Sequence, residues 1–150
     1  MTIREAELKD CVRLDELLTE LILYESQYEH NLDPTFQVKD NYSERLKMDG
    51  HKAFVAETDG RIEGFAYGFI YHIPGMFLKP VAIMDALYVE EKYRGLGIAG
   101  KLIAKFIRFA NEQKVDTVEL KVLSENSRAL GLYERLGFQE TKKYMVLKAD

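Results

Sequence analysis

The stretch 81–112 constrains the fold more than any other part of the chain. It begins with nine mostly apolar residues, Val81–Val89, continues through a loop that contains two glycines, and ends in apolar residues at helical spacing over Ile98–Glu112. This order predicts a strand, a loop and a helix. Because a helix that follows a strand usually crosses the sheet and leads to a parallel neighbour, we expect the next strand, at 117–122, to lie parallel to the first.

The other elements are predicted from hydrophobic periodicity and turn residues. Before residue 81 they are a strand at 2–6, an amphipathic helix after Asp10, a shorter helix at about 39–48, and a hairpin of strands at 54–56 and 62–73. After residue 122 they are a helix at 127–136 and a closing antiparallel pair at 138–140 and 144–148. The expected fold is α/β, of the α+β type, with a mixed, mostly antiparallel central sheet flanked by about four helices in a single domain over residues 1–150.

The charge of the chain is modest and unevenly spread. A net charge of −4 argues against nucleic acid as a partner, because phosphate binding requires a positive face. Residues 15–50 hold nine acidic and three basic side chains, whereas residues 91–114 hold six basic and two acidic ones. This asymmetry suits a site with an anionic cofactor at one end and a cationic substrate at the other, although solvated helix faces explain it equally well.

Composition also bears on location and on metal binding. No apolar run approaches the ~18 residues of a membrane-spanning helix, and residues 1–7 alternate in character instead of forming a secretion signal. The single cysteine, Cys11, has no disulfide partner, and no histidine has a companion at metal-ligand spacing. We therefore expect a cytoplasmic protein with no membrane partner and no metal site.

The loop at 93–97, Tyr-Arg-Gly-Leu-Gly, carries the clearest chemical signal. A glycine loop between a strand and a helix aims unpaired backbone N–H groups and the positive end of the helix dipole at a ligand, which suits a phosphate. Arg94 and Lys101 add positive charge, and an ordinary turn before an amphipathic helix is the alternative. The literal G-x-G-x-x-G match at 95–100 is interpreted as accidental, because about 85 residues of other architecture precede it.

Two further blocks accompany this loop. The strand end Leu87-Tyr88-Val89, the loop, Asn126 and the block 132–138, Leu-Tyr-Glu-Arg-Leu-Gly-Phe, together resemble the GNAT superfamily of N-acetyltransferases. The family signature of R or Q, two residues, G, one residue, and G or A is met at 94–99. The resemblance implies a splayed sheet with a cleft for acetyl-CoA as cosubstrate, and direct transfer of its acetyl group to a primary amine in a ternary complex.

The resemblance also implies roles for particular residues. The strand backbone would pair with the pantetheine arm, and the loop amides would hold the pyrophosphate. Asn126 would meet the pantetheine side, or would only cap the helix that follows it. The cofactor-binding residues expected on this basis are Leu87, Tyr88, Val89, Arg94, Gly95, Leu96, Gly97, Ile98, Ala99, Gly100 and Asn126.

Two residues are candidates for catalysis. Tyr133 matches the position from which many similar enzymes donate a proton to the departing CoA sulfur, and a phenol of pKa about 10 is a sensible acid for a thiolate of pKa about 8.5. Packing in the core is the alternative role for Tyr133. Asp85 stands where polyamine acetyltransferases of the family carry a glutamate, and we expect it to contact the substrate or its proton relay, although its side chain is shorter.

The first helix is expected to recognise the acceptor. Tyr24, Glu25 and Tyr28 lie at helical spacing, so an acid could meet a cation while the rings cover its stem; a solvated helix end is the alternative. A small cationic amine, such as a polyamine or an amino acid, is therefore the expected substrate. The competing function is a non-catalytic acyl-CoA-binding sensor. Similar proteins commonly form homodimers, so a homodimer is one state to expect.

Overall fold

A single five-stranded sheet organises the chain, and the computed structural model describes all 150 residues. The strands are β1 (Thr2–Glu5), β2 (His51–Thr58), β3 (Arg61–Tyr71), β4 (Val81–Val89) and β5 (Val118–Glu119), which lie side by side in this order. The first four pair antiparallel, whereas β5 pairs parallel to β4. The mixed, mostly antiparallel sheet predicted from the sequence is confirmed.

Four helices cover the two faces of the sheet. They are α1 (Cys11–Glu25), α2 (Tyr42–Arg45), α3 (Ile98–Glu112) and α4 (Ser127–Arg135), and short 3-10 turns precede α1 and follow β4. The apolar stripe of α3 packs with one face of the sheet, around Leu102 and Phe106, which are fully buried. On the other face α1 and α2 bury Leu14, Leu17 and Tyr42 against the sheet. None of the helices combines the length and the apolar character that a membrane span requires.

One close contact fixes the position of α3 against the centre of the sheet. Gly68 in β3 lies under Phe106, and a Cβ at this glycine would stand 2.4 Å from Phe106 Cζ and 2.2 Å from the backbone oxygen of Ile83 in β4. Such distances leave no room for any side chain. The absence of a Cβ at position 68 therefore allows β3, β4 and α3 to approach one another as they do.

The predicted boundaries of β4 and α3 are confirmed, but two other helix and strand predictions were too long. The helix predicted at about 39–48 has only Tyr42–Arg45 in α-helical form. Asp40 has a φ of +53°, a left-handed conformation that a regular helix cannot contain, so α2 starts after it. The strand predicted at 117–122 is reduced to Val118–Glu119, because the chain pairs with β4 at only two positions.

The closing antiparallel pair predicted at 138–140 and 144–148 was wrong. Neither segment is a strand, and residues 138–150 follow an irregular path. An apolar run forms a strand only where the sheet buries it, but Tyr144, Met145, Val146 and Leu147 are all at least 87% exposed. Without a buried face or a paired neighbour, the β propensity of these residues does not produce a strand.

Candidate active site

A cleft opens where β4 and β5 separate. The two strands pair only at Ala82 with Val118 and Ile83 with Glu119, so beyond Ile83 the edge of β4 that faces β5 has no strand partner. The cleft has a volume of about 400 Å³ and is walled by the second half of β4, residues 120–123, the start of α3, the end of α1 and one side of α4. The splayed sheet predicted from the sequence is therefore present.

The glycine loop forms one end of this cleft. Gly95 and Gly97 both have a φ of +80°, a left-handed conformation that favours glycine, and no atom lies within 4 Å of a Cβ built at either position or at Gly100. Lys101 N bonds back to Gly97 O at 3.2 Å, which leaves the N–H groups of the preceding residues free of helical partners. The loop therefore presents open space, unpaired donors and the positive end of α3, as an anion cradle requires.

Arg94 does not extend freely over this cradle. Its Nε donates to the carbonyl oxygen of Val89 at 2.8 Å, and its guanidinium carbon lies 5.1 Å from the ring centre of Tyr24 and 5.2 Å from that of Tyr88. Contacts of this kind are worth about 0.5–2 kcal/mol each. Arg94 therefore connects the loop to the end of α1 across the cleft, in addition to supplying positive charge.

Strand β4 carries a bulge in the middle of the cleft wall. Tyr67 in β3 pairs with Ala86, whereas the next residue, Gly68, pairs with Met84, so Asp85 has no partner opposite it. The irregularity turns the carboxyl of Asp85 out of the sheet, where it is exposed and lines the cleft. Bulges commonly re-aim a side chain next to a functional site, and this one presents an acid to the cleft.

The end of the cleft away from the loop brings together a phenol and two carboxylates. Tyr133 of α4, Glu25 at the end of α1, and Asp85 all line it. Burial and, to a smaller extent, the nearby charge of Glu25 raise the pKa of Tyr133 to about 12. Burial also raises the pKa of Glu25, and the carboxylates of Glu29 and Asp85 add to this effect. The phenol is therefore neutral near pH 7 and next to an acidic pocket.

Asn126 has both of the features that the sequence left as alternatives. Its side-chain oxygen accepts a hydrogen bond from Ala129 N at 3.2 Å, which caps α4, and the residue also lines the cleft. A cap on α4 fixes the helix that carries Tyr133. Asn126 therefore positions the phenol whether or not it contacts a ligand.

Two of the predicted site residues do not line the cleft. Leu96, at the tip of the loop, is 65% exposed and faces away from it. Tyr28 lies one turn beyond Tyr24, and their hydroxyls are 3.5 Å apart with the rings in an edge-to-face contact. Tyr28 therefore supports Tyr24 from outside, whereas Tyr24 and Glu25 reach the cleft. The other predicted cofactor residues are Leu87, Tyr88, Val89, Arg94, Gly95, Gly97, Ile98, Ala99, Gly100 and Asn126, all of which line it.

A polar cluster beside Asp85 was not predicted. His51, at the start of β2, places Nδ1 2.6 Å from the hydroxyl of Tyr67, and Arg45 at the end of α2 lies 3.4 Å from the same hydroxyl. Asp85 is close enough to contribute to the raised pKa of Tyr67. These residues come from different elements with no shared motif, so no local pattern indicates that they meet.

The cleft thus combines an anion cradle with a neutral phenol and two carboxylates in its lining. A sequence model of the Acetyltransferase (GNAT) family matches residues 15–138, so the chain belongs to this family. The resemblance found in the sequence motifs is thereby confirmed.

Individual relatives agree with this assignment. Thialysine N-ε-acetyltransferase of Bos taurus is 32% identical in an alignment 150 positions long, which covers 92% of this chain and 84% of that protein. An uncharacterized N-acetyltransferase of Methanocaldococcus jannaschii is 36% identical over 95 residues, 63% of this chain, and the match covers only 42% of that protein. The structure of aminoglycoside N-acetyltransferase AAC(6')-Iy in complex with CoA has a TM-score of 0.75 at 22% identity and covers 99% of both chains, which confirms the fold.

Proposed function

We propose that this protein transfers the acetyl group of acetyl-CoA to the primary amine of a small cationic acceptor, in a ternary complex and without an acyl-enzyme intermediate. The observation that carries the proposal is the arrangement of Glu25, Asp85 and Tyr133 at one end of a cleft whose other end is the glycine loop. The bovine relative is a thialysine N-ε-acetyltransferase by name, and that name describes acetylation of an amine.

The cleft suits acetyl-CoA along its whole length. Open space in front of Gly95, Gly97 and Gly100 leaves room for phosphate oxygens against the loop amides. The edge of β4 at 87–89 has no strand partner on the cleft side, so its backbone groups can pair with the amide-containing pantetheine arm. When bound, the cofactor supplies an activated thioester; the chain positions it and provides backbone donors where negative charge develops.

The acidic end of the cleft suits an ammonium group. A protonated amine of pKa about 10.4 must lose a proton before it can attack, which costs roughly 4–5 kcal/mol at neutral pH without assistance. Glu25 and Asp85 would first hold the ammonium by charge, and Asp85, whose carboxyl is exposed in the cleft, would then accept its proton. Tyr24 would cover the apolar stem of the acceptor.

Tyr133 would protonate the departing CoA sulfur. The raised pKa, about 12, keeps the hydroxyl protonated throughout the working pH range, so the proton is available in every turnover. Because a thiol of pKa about 8.5 is a stronger acid than this phenol, transfer to a fully formed thiolate would be uphill by roughly 5 kcal/mol, so the proton would move to the sulfur while the C–S bond is still breaking. The phenolate would then recover a proton from the attacking nitrogen, which loses its second proton as the amide forms. A sensor that only binds acyl-CoA would require neither this phenol nor two carboxylates opposite it, which is why the catalytic function is preferred. Cytoplasmic location and homodimer formation stay predictions.

The test is release of the CoA thiol from acetyl-CoA in the presence of polyamines, amino acids, aminoglycosides and short peptides. We expect turnover with a cationic amine and a fall in kcat of about 100-fold or more in Tyr133→Phe, the lower bound for losing a positioned acid. Tyr144→Phe is the matched control, because Tyr144 is 88% exposed and lies outside the cleft. Tight binding of acetyl-CoA without turnover of any amine would instead favour the sensor.

A further inference from the structure

The end of α1 that borders the cleft is held in a different way from its start. The buried residues of α1 are Cys11, Leu14, Asp15 and Leu17, all of them in the first half of the helix. None of residues 18–25 is buried, although the last turn carries Tyr24 and Glu25, both of which line the cleft. Packing in the core therefore does not by itself fix the part of α1 that reaches the cleft.

Arg94 contacts this last turn from the glycine loop. Its guanidinium carbon lies 5.1 Å from the ring centre of Tyr24 in α1 and 5.2 Å from that of Tyr88 in β4. Its Nε donates to the carbonyl oxygen of Val89 at 2.8 Å, which ties the same guanidinium to the backbone of the sheet. Arg94 therefore joins an aromatic ring of α1 to β4, and a planar guanidinium suits such stacked contacts.

No residue of α1 itself can replace this contact. Tyr28 lies edge-on to Tyr24 with ring centres 5.8 Å apart, but it follows the same helix end and cannot fix that end relative to the sheet. The C-terminus of a helix carries partial negative charge, which a nearby cation stabilises. The last turn of α1 contains no basic residue and ends at Glu25, so Arg94 supplies the cation from another part of the chain.

We propose that Arg94 is a positioning residue for the acceptor amine: it holds the Tyr24 ring, and with it the last turn of α1, over the cleft. The inference rests on the proposed function, which assigns Tyr24 and Glu25 to the acceptor. The loop that holds the cofactor thereby also shapes the amine site. Loss of the contact weakens binding of the amine, whereas the backbone amides of the loop stay able to hold phosphate.

The experiment measures kcat and the KM values for acetyl-CoA and for the best acceptor amine in wild type and Arg94→Lys. Lysine keeps the positive charge, but it lacks the planar guanidinium and the Nε that bonds Val89. We expect the amine KM to rise about fivefold, with kcat and the KM for acetyl-CoA within about twofold of wild type. Arg108→Lys is the matched control, because the Arg108 side chain is 78% exposed on α3 and all three constants should stay unchanged.

A double-variant cycle shows whether the effect runs through Tyr24. Tyr24→Leu removes the ring that Arg94 contacts, so adding Arg94→Lys to Tyr24→Leu should raise the amine KM no further. An equal rise in both backgrounds, or a rise in the KM for acetyl-CoA alone, would overturn the positioning role and leave the proposed function intact. A general loss of structure would instead change kcat and both KM values together, which would also overturn it.

Fluorescence gives a readout that does not depend on turnover. The chain contains no tryptophan, so Tyr24→Trp introduces a single indole at the contact, and an indole is the ring that binds a cation most strongly. Adding Arg94→Lys to Tyr24→Trp should increase quenching of this indole by acrylamide, because the ring is then held less tightly, whereas Arg108→Lys should not. Unchanged quenching would overturn the positioning of residue 24 by Arg94. Absence of wild-type turnover with every amine would overturn the proposed function.

Discussion

Replacing Gly68 by alanine tests whether the contact between β3, β4 and α3 sets the shape of the cleft. The added Cβ would stand 2.2 Å from the Ile83 oxygen, 2.4 Å from Phe106 Cζ and 2.6 Å from Phe106 Cε2. Atoms at these distances must separate by about 1 Å or more to reach ordinary contact at ~3.5 Å. Phe106 is fully buried and the Ile83 oxygen belongs to the backbone, so neither can move aside without displacing an element.

The expected cost follows from these contacts. Overpacking of a tight core costs about 1–3 kcal/mol, with larger values in the worst cases, and the loss of glycine flexibility in the unfolded chain returns at most about 1 kcal/mol. We therefore expect Gly68→Ala to lower the free energy of unfolding by about 2–3 kcal/mol and the melting temperature by about 4–12 °C. Because Gly68 pairs with Met84 beside the bulge, kcat/KM should fall as well, through displacement of Asp85.

Urea denaturation followed by circular dichroism measures the first effect, and thiol release measures the second. Gly131→Ala is the matched control: the nearest atom to a Cβ at Gly131 is the Arg135 Nη1 at 3.3 Å, the end of a flexible side chain, so this variant should be neutral or stabilised by up to about 1 kcal/mol. Phe106→Leu should rescue Gly68→Ala only in part, because the Ile83 oxygen stays. If the free energy of unfolding of Gly68→Ala lies within about 0.5 kcal/mol of the wild-type value, the reasoning is refuted.

Three other predictions concern titration and helix capping. Glu63 is 2% exposed, its Oε2 has no hydrogen-bond partner, and burial with the adjacent Glu90 raises its pKa, so its contribution to stability is lost as pH rises through that value. In urea titrations, the free energy of unfolding should fall less between about pH 5 and pH 8 in Glu63→Gln than in wild type, and an equal fall in both would contradict this. Asn126→Ala should lower the free energy of unfolding by about 1 kcal/mol, and Asn126→Asp by much less, because aspartate also caps a helix. If Asn126→Asp keeps the stability but loses affinity for acetyl-CoA, measured by calorimetry, the residue contacts the cofactor as well as capping α4. Because the pKa of Tyr133 is raised to about 12, kcat should not decline with rising pH below about pH 10, and a basic limb near pH 9 in stopped assays would assign the acid to another group.

The part of the fold that the sequence predicts well is the part where the pattern and the surroundings agree. The boundaries of β4 and α3 are read correctly because both elements bury residues at the period that their own geometry requires, with Leu102 and Phe106 on one stripe of α3. At 144–148 four consecutive apolar residues have high β propensity or bulk but no alternation, and they meet no neighbour to pair with and no core to cover. Periodicity reports the capacity of a segment to form a strand, and pairing decides whether it does.

The two ends of the candidate site also differ in how well the sequence predicts them. The cradle residues are consecutive in the chain, so the strand, the glycines and the start of α3 can be recognised together from local chemistry. The polar cluster of His51, Arg45 and Tyr67 joins the start of β2, the end of α2 and the centre of β3, and Asp85 reaches the cleft through a one-residue register shift that no side-chain pattern encodes. Arg94 shows the same limit, since its contact with Tyr24 depends on how α1 crosses the sheet.

This difference bears on how acceptor specificity can change. The loop must keep two left-handed glycines and an open helix start, so few substitutions at 95–100 preserve an anion cradle. Glu25 is the last residue of α1, where substitutions remove few packing contacts and typically change stability by less than about 1 kcal/mol. Glu25 can therefore vary by single substitution while the cofactor end stays fixed, whereas Asp85 depends on the bulge in the middle of β4.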